Sequence, residues 1–211
     1  MDLSVRDGDF DTVANEAFML VFSAGNSGPG AGTLTAPKAA KNPIVTASSV
    51  NFRAGSIETI SGFSSRGPTQ DGRFGITIAA PGQQIASTKR VDGATQCATS
   101  IAGTNNNYAF CSGTSMAAPH VSGAAVLLTQ WWRDNNGGAT PSPAMIKALL
   151  VNGAVDMSGV ANRPNTIQGW GRVHVPDSMG LDFLASEYVD QDVVLDGVGQ
   201  VYEAIFGVAE A

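Results

Sequence analysis

The sequence predicts an α/β fold, a mainly parallel sheet held between helices, and three observations carry that expectation. Short apolar runs recur at residues 18–23, Ile44–Val50 and 76–80. Each is bounded by a turn signal: Gly25-Asn-Ser-Gly-Pro29 follows the first, Asn42-Pro43 precedes the second, and Pro81-Gly82 ends the third. Two helical patterns come after them, and strands that alternate with helices bury both faces of a parallel sheet.

The first run, Phe18-Met-Leu-Val-Phe-Ser23, has the texture of a buried strand entering a turn, with a helix expected upstream over residues 7–17. The second is rich in β-branched residues and reads as another strand. Between residues 92 and 112 the composition turns polar and small, the pattern of a long surface loop. Over residues 114–132, Ala117, Val121, Ala124, Ala125 and Leu128 fall at helical spacing, with Pro119 expected in the first turn and Asn135-Asn-Gly-Gly138 as the stop. A further helix over residues 142–152 is opened by Ser142-Pro143 and closed near Gly153. After Leu184 the chain alternates apolar and polar residues around turn glycines, the texture of an antiparallel sheet. The expected organisation is therefore one α/β domain over residues 1–184, incomplete at its N-terminus, and the beginning of a β-sandwich-like domain over 185–211.

Composition bounds the function. The 211 residues are 43% hydrophobic and 14% charged, enough to bury one core and unlike a disordered chain. A net charge of −6, a pI near 4.7 and the lack of a Lys/Arg cluster argue against a nucleic-acid partner. Residues 1–24 carry no secretory signal pattern, and no apolar stretch reaches the roughly 18–20 residues of a membrane span. Cys97 and Cys111 flank the polar loop; they are either a loop-closing disulfide, which implies an oxidising compartment, or two separate thiols.

The string Gly113-Thr-Ser-Met-Ala-Ala-Pro-His120 sits where a loop becomes the long helix. The first turn of a helix leaves backbone N–H groups unpaired and carries partial positive charge, so an oxyanion forming beside Ser115 would be stabilised. Gly113 and Ala117 leave room for a carbonyl to approach the hydroxyl. Gly113-Thr-Ser-Met-Ala-Ala-Pro-His-Val-Ser-Gly123 resembles the nucleophile signature of the subtilisin-like (S8) serine peptidases. Upstream, Ser23-Ala-Gly-Asn-Ser-Gly-Pro29 resembles that family's oxyanion-hole turn, and Phe63-Ser-Ser-Arg-Gly-Pro68, Ala80-Pro-Gly82 and Gly169-Trp-Gly-Arg-Val173 follow in the family's order. The resemblance covers residues 18–180 and implies a three-layer subtilisin-like fold.

It also implies roles. Ser115 would be the acyl-forming nucleophile, Asn26 would donate its amide to the tetrahedral oxyanion beside the Ser115 N–H, and Ser23, Ala24 and Gly25 would line the pocket for the substrate side chain before the scissile bond. The substrate would be a polypeptide. No cofactor is required for that chemistry, the full-length protein would be secreted, and structural calcium would be held through loop carbonyls that the sequence does not place.

One departure is decisive for activity. The family's acid and base lie in Asp-Thr-Gly-like and His-Gly-Thr-His-like blocks upstream of both motifs, and neither block occurs in this chain. His120 belongs to the serine motif and, five residues on along a helix, is rotated away from Ser115; His174 follows the Gly-Trp-Gly segment; both read as structural. Without a base, catalysis falls to at most the residual roughly 1000- to 10,000-fold over water of a triad-deficient site. The expected partner is therefore the missing N-terminal half of the same domain. A non-catalytic peptide-binding module is the alternative; an α/β-hydrolase is disfavoured because Met116 and Ala117, not the pattern Gly-x-Ser-x-Gly, surround Ser115. Met116 and Met145 read as core, Trp131-Trp132 as one buried and one half-exposed indole, and Asp7, Asp9 and Asp11 as a solvated helix start without a calcium loop's glycine and glutamate.

Overall fold

In the computed structural model, residues 2–6, 17–90, 97, 99–160, 162–180 and 190 are described. Among them a parallel sheet of β1 (Val21–Ser23), β2 (Ile44–Val50) and β3 (Ile78–Gln83) runs in the order β1-β2-β3. Val21 pairs with Ile44, and Thr46 with Ile78. β2 is buried along its whole length because both faces are covered. On one face Ile44, Ile78 and Ala80 pack against α2 (Thr114–Asn135) and α3 (Pro143–Asn152); on the other Val45, Ala47 and Ala79 pack with Leu34, Ile60, Ile76 and Met157. This is the α/β arrangement the apolar runs predict.

The long helix forms because Ala117, Val121, Ala124, Ala125, Leu128 and Trp132 make one buried stripe that lies on the sheet. Full burial of Val121 and Leu128 contributes about 1.5–3 kcal/mol each. Pro119 is the sixth residue of α2 rather than part of its first turn, so the Ser115 carbonyl lacks the usual donor four residues on. The helix ends at Asn136, with Gly137 at φ 62° and Gly138 donating to the Arg133 carbonyl. α3 begins as its Ser-Pro pair predicts: the Ser142 hydroxyl accepts from Met145 N at 3.0 Å.

Two expectations are corrected. β3 does not stop at Pro81-Gly82 but continues through both to Gln83. Its partner β2 lies on one side only, so the missing Pro81 N–H leaves no ladder bond unmade in the described sheet. The polar stretch expected to be a surface loop supplies two of the three strands of a second, antiparallel sheet. There β6 (Tyr108–Cys111) lies between β4 (Ile85–Thr88) and the two-residue β5 (Thr99–Ser100). These strands are largely exposed, so they lack the apolar alternation that marks a half-buried strand.

The Gly-Trp-Gly segment lies along β3: Trp170 N donates to the Thr77 carbonyl, and Val173 N to that of Ala79. It leads into α4 (Val175–Ser178). A short N-terminal helix, α1 (Asp2–Arg6), is fastened where the Asp2 carboxylate accepts from Lys41 N and Asn42 N, both at 2.7 Å. The helix expected over 7–17, the three aspartates and the β-textured tail lie outside the described residues, Ala17 and Asp190 excepted. The Asp190 carboxylate accepts from Ser142 N at 2.7 Å.

Candidate active site

The carboxyl ends of β1, β2 and β3 converge on the start of α2. In an open parallel sheet this is the end at which ligands bind. Ser23 closes β1 and passes the chain to Ala24, Gly25 and Asn26, while Gly82, near the end of β3, accepts a hydrogen bond from Gly113 N at 2.8 Å. Gly113 is the N-cap of α2 and has no side chain to occupy the cap. Ser115 therefore lies inside the first turn, exposed, and the plain N-cap role is excluded. No acidic residue sits in that turn, so the helix N-terminus keeps its positive character.

Asn26 is oriented by its neighbour in space. Thr114 N and Thr114 Oγ1 both donate to Asn26 Oδ1, at 2.9 and 3.0 Å, and Thr114 Oγ1 accepts in turn from Gly25 N at 3.0 Å. A backbone N–H can only donate, so the oxygen of the amide is fixed towards Thr114 and Nδ2 must lie on the other side. That places Nδ2 over Gly113: a Cβ on Gly113 would lie 3.3 Å from Asn26 Nδ2 and 3.7 Å from Ser115 N. Two N–H donors thus border one small space that the glycine leaves open, beside an exposed hydroxyl. Such a pair can hold a negatively charged oxygen formed by attack of Ser115 on a carbonyl.

The turn is seated by the Phe63–Pro68 stretch. Ser27 N donates to Ser65 Oγ at 3.0 Å, Ser65 N to the Gly25 carbonyl at 2.9 Å, and Gly28 N to the Phe63 carbonyl at 2.8 Å. Gly28 has to be glycine, because a Cβ there would meet the Ser64 carbonyl oxygen at 2.1 Å. Below, buried Ser48 joins the layers: its N donates to Ser64 Oγ at 3.0 Å and its hydroxyl lies 2.9 Å from Ser61 Oγ. Gly25 takes φ 105°, a conformation that favours glycine.

A cleft of about 430 Å³ opens beside Ser115, lined on the helix side by Met116, Pro119 and His120 and on the other by β4, Ala109 and the cysteines. Cys97 and Cys111 form a disulfide, which settles the alternative left open by their spacing. Ser23, Ala24 and Gly25 are not part of this lining; Ala24 is fully buried in the core, whereas Ser23 is half-buried. Met116 is half-buried in the cleft wall and not in the core, whereas Met145 is in the core. Trp132 is buried and Trp131 packs half-buried against the same core cluster, as expected.

Neither histidine is paired with Ser115. His120 Nδ1 lies 2.8 Å from the Met116 carbonyl on its own helix, which fixes that nitrogen as the protonated one. His174 Nδ1 lies 2.9 Å from Asp177 Oδ1 at the start of α4. Thr114 and Gly82 were not singled out from sequence alone as positioning residues, although both lie inside the motifs that carry the resemblance.

Fold and site together define an α/β domain that presents a serine at a helix N-terminus beside two N–H donors. The sequence profile of the Subtilase family (peptidase S8) matches residues 5–171, so the chain belongs to the subtilase family of serine peptidases. It is 31% identical over 159 residues to serine protease AprX of Bacillus subtilis, an alignment covering 70% of this chain and 34% of AprX. With pyrolysin of Pyrococcus furiosus it shares 32% identity over 163 residues, covering 67% of this chain and 11% of that protein. Fervidolysin of Fervidobacterium pennivorans, a keratinolytic enzyme related to subtilisin, superposes with a TM-score of 0.56 at 29% identity, over 77% of this chain and 22% of its own. The chain thus spans only a minor part of the length of these relatives.

Proposed function

We propose that this chain supplies the nucleophile and the oxyanion hole of a subtilisin-type serine endopeptidase, and that its base and acid come from polypeptide outside it. Ser115 attacks the scissile carbonyl, Asn26 Nδ2 and Ser115 N hold the oxyanion, and the acyl-enzyme is then hydrolysed. The observation that carries this reading is the convergence of those two donors on the space over Gly113. Backbone at Ser23 and Gly25, with the buried Ala24 between them, borders the acyl side of a polypeptide substrate.

Alone, the chain is inactive on this reading, because neither histidine is paired with Ser115 and the sequence holds no block of the kind that supplies the family's base. The outer face of α2 supports a covering partner segment: Val126 and Leu127 are 68% and 55% exposed, an apolar strip on the side away from the sheet. The disulfide suits an oxidising, extracellular location. Among the described residues no three His, Cys, Asp or Glu side chains cluster. No described helix is long and apolar enough to cross a membrane.

Hydrolysis of a peptide anilide by the chain alone, and by the chain mixed with the AprX segment upstream of the matching region, tests the proposal. Turnover in the mixture that is lost with Ser115→Ala supports it. Turnover by the chain alone defeats the divided-site reading, and binding of peptide without turnover in either sample favours the non-catalytic module.

A further inference from the structure

The cleft beside Ser115 has a disulfide as part of its wall. Cys97 and Cys111 face it together with Ala109, Met116, Pro119 and His120. Cys111 is the last residue of β6, and from there the chain runs through Ser112 and Gly113 into the turn that carries Ser115. Two hydrogen bonds tie that short stretch down, Gln84 N to Ser112 Oγ at 2.9 Å and Gly113 N to the Gly82 carbonyl at 2.8 Å. Cys97 stands just before β5, which has two residues, both exposed, paired to Phe110 and Ala109 of β6. A ladder that short is marginal by itself, and the covalent bond joins Cys97 to β6 beside that pairing and the hydrogen bond from Ile101 N to the Tyr108 carbonyl at 2.9 Å. Both cysteines are only half-buried and so within reach of a soluble thiol.

We propose that the Cys97–Cys111 disulfide is a redox-set element of this cleft. Oxidised, it holds the wall opposite Met116, Pro119 and His120 and steadies the strand that feeds the nucleophile turn. Reduced, it releases the wall, and the turn opens locally while the core stays folded. The reaction is thiol–disulfide exchange with a dithiol: a thiolate attacks one sulfur, the Cys97–Cys111 bond breaks, and the second thiol of the reagent resolves the mixed disulfide. The chain gains two thiols, by two electrons and two protons, and the dithiol becomes its own disulfide. The core is organised independently, since α3 packs with Ile44, Ile78 and Leu128 away from the cleft.

Hydrogen exchange of the whole chain, oxidised and after treatment with dithiothreitol, tests this without reading catalysis, so its failure is separate from failure of the peptidase reading. Reduction is expected to speed exchange in residues 108–116 by about tenfold or more, to leave α3 unchanged, and to reverse on reoxidation. The double variant Cys97→Ser with Cys111→Ser must show the reduced pattern without reagent and no response to it. Its Met116 must also form sulfoxide with hydrogen peroxide faster than in the oxidised parent. Equal loss of protection in 108–116 and α3, which would make the bond a staple of the whole domain, overturns the proposal, as does unchanged exchange in 108–116.

Discussion

Thr114 and Asn26, far apart in sequence, share one acceptor atom: the Thr114 N–H and hydroxyl both donate to Asn26 Oδ1, at 2.9 and 3.0 Å. The hydroxyl also receives Gly25 N, so one buried threonine orients the amide and fastens its turn. Thr114→Val keeps the shape but removes the hydroxyl, and Thr114→Ser restores it. In NMR spectra the Asn26 side-chain amide is expected to shift or broaden in Thr114→Val and to return in Thr114→Ser. Unfolding should show a loss of about 1–3 kcal/mol in Thr114→Val alone, from the unpaired Gly25 N and the weakened hold on Oδ1.

Asn26→Ala removes a donor that meets charge only as the oxyanion forms. In the mixture with the AprX segment, kcat should fall by about 100- to 1000-fold while KM stays near its starting value, a magnitude established on oxyanion holes of this kind. A fall in KM-dependent binding alone would place Asn26 in substrate recognition instead.

Gly82 and Gly123 give opposite expectations for the same change to alanine. A Cβ at Gly82 would lie 2.4 Å from Ser48 Oγ and 2.6 Å from the Gly113 carbonyl oxygen, whereas at Gly123 nothing lies within 4 Å. Thermal unfolding of Gly82→Ala should show a loss of about 1–3 kcal/mol as the nucleophile turn is pushed off β3. Gly123→Ala, inside α2, should be neutral or gain up to about 1 kcal/mol from helix propensity.

The contrast between what was legible and what was not has a physical basis. β2 and the buried stripe of α2 were readable because apolar residues fall at the strand and helix periods. The β4–β6 sheet was not, because most of β4 and β5 faces solvent and β6 fully buries only Ala109, too little to set up such a period. Met116 has the chemistry of a core residue, but its position falls off the stripe formed by Ala117, Val121 and Leu128, and that spacing turns it to the cleft. The pairing of Asn26 with Thr114 is a long-range contact that no local pattern encodes. Only the order of the two motifs pointed to it.

An acid-range prediction comes from the turn at residues 69–73. The Arg73 guanidinium donating to Asp71 at 2.8 Å, together with the Thr69 hydroxyl, holds the Asp71 carboxyl at about 2, below its ordinary 3.8. A carboxyl lowered on folding stabilises the fold above 3.8 and loses that contribution as pH falls through about 2. Melting temperature followed through this window should fall less steeply in Asp71→Asn than in the parent, and the two curves should run parallel near neutrality. The effect is small because the pair is exposed.

Fluorophosphonate labelling of Ser115, followed by mass spectrometry with and without free imidazole, tests most directly whether the chain holds a nucleophile and its anion donors but no base. The expected result is very slow labelling alone, a rate that rises in proportion to added imidazole, and no labelling in Ser115→Ala. Fast labelling that ignores imidazole would show a base within the chain and contradict the divided site.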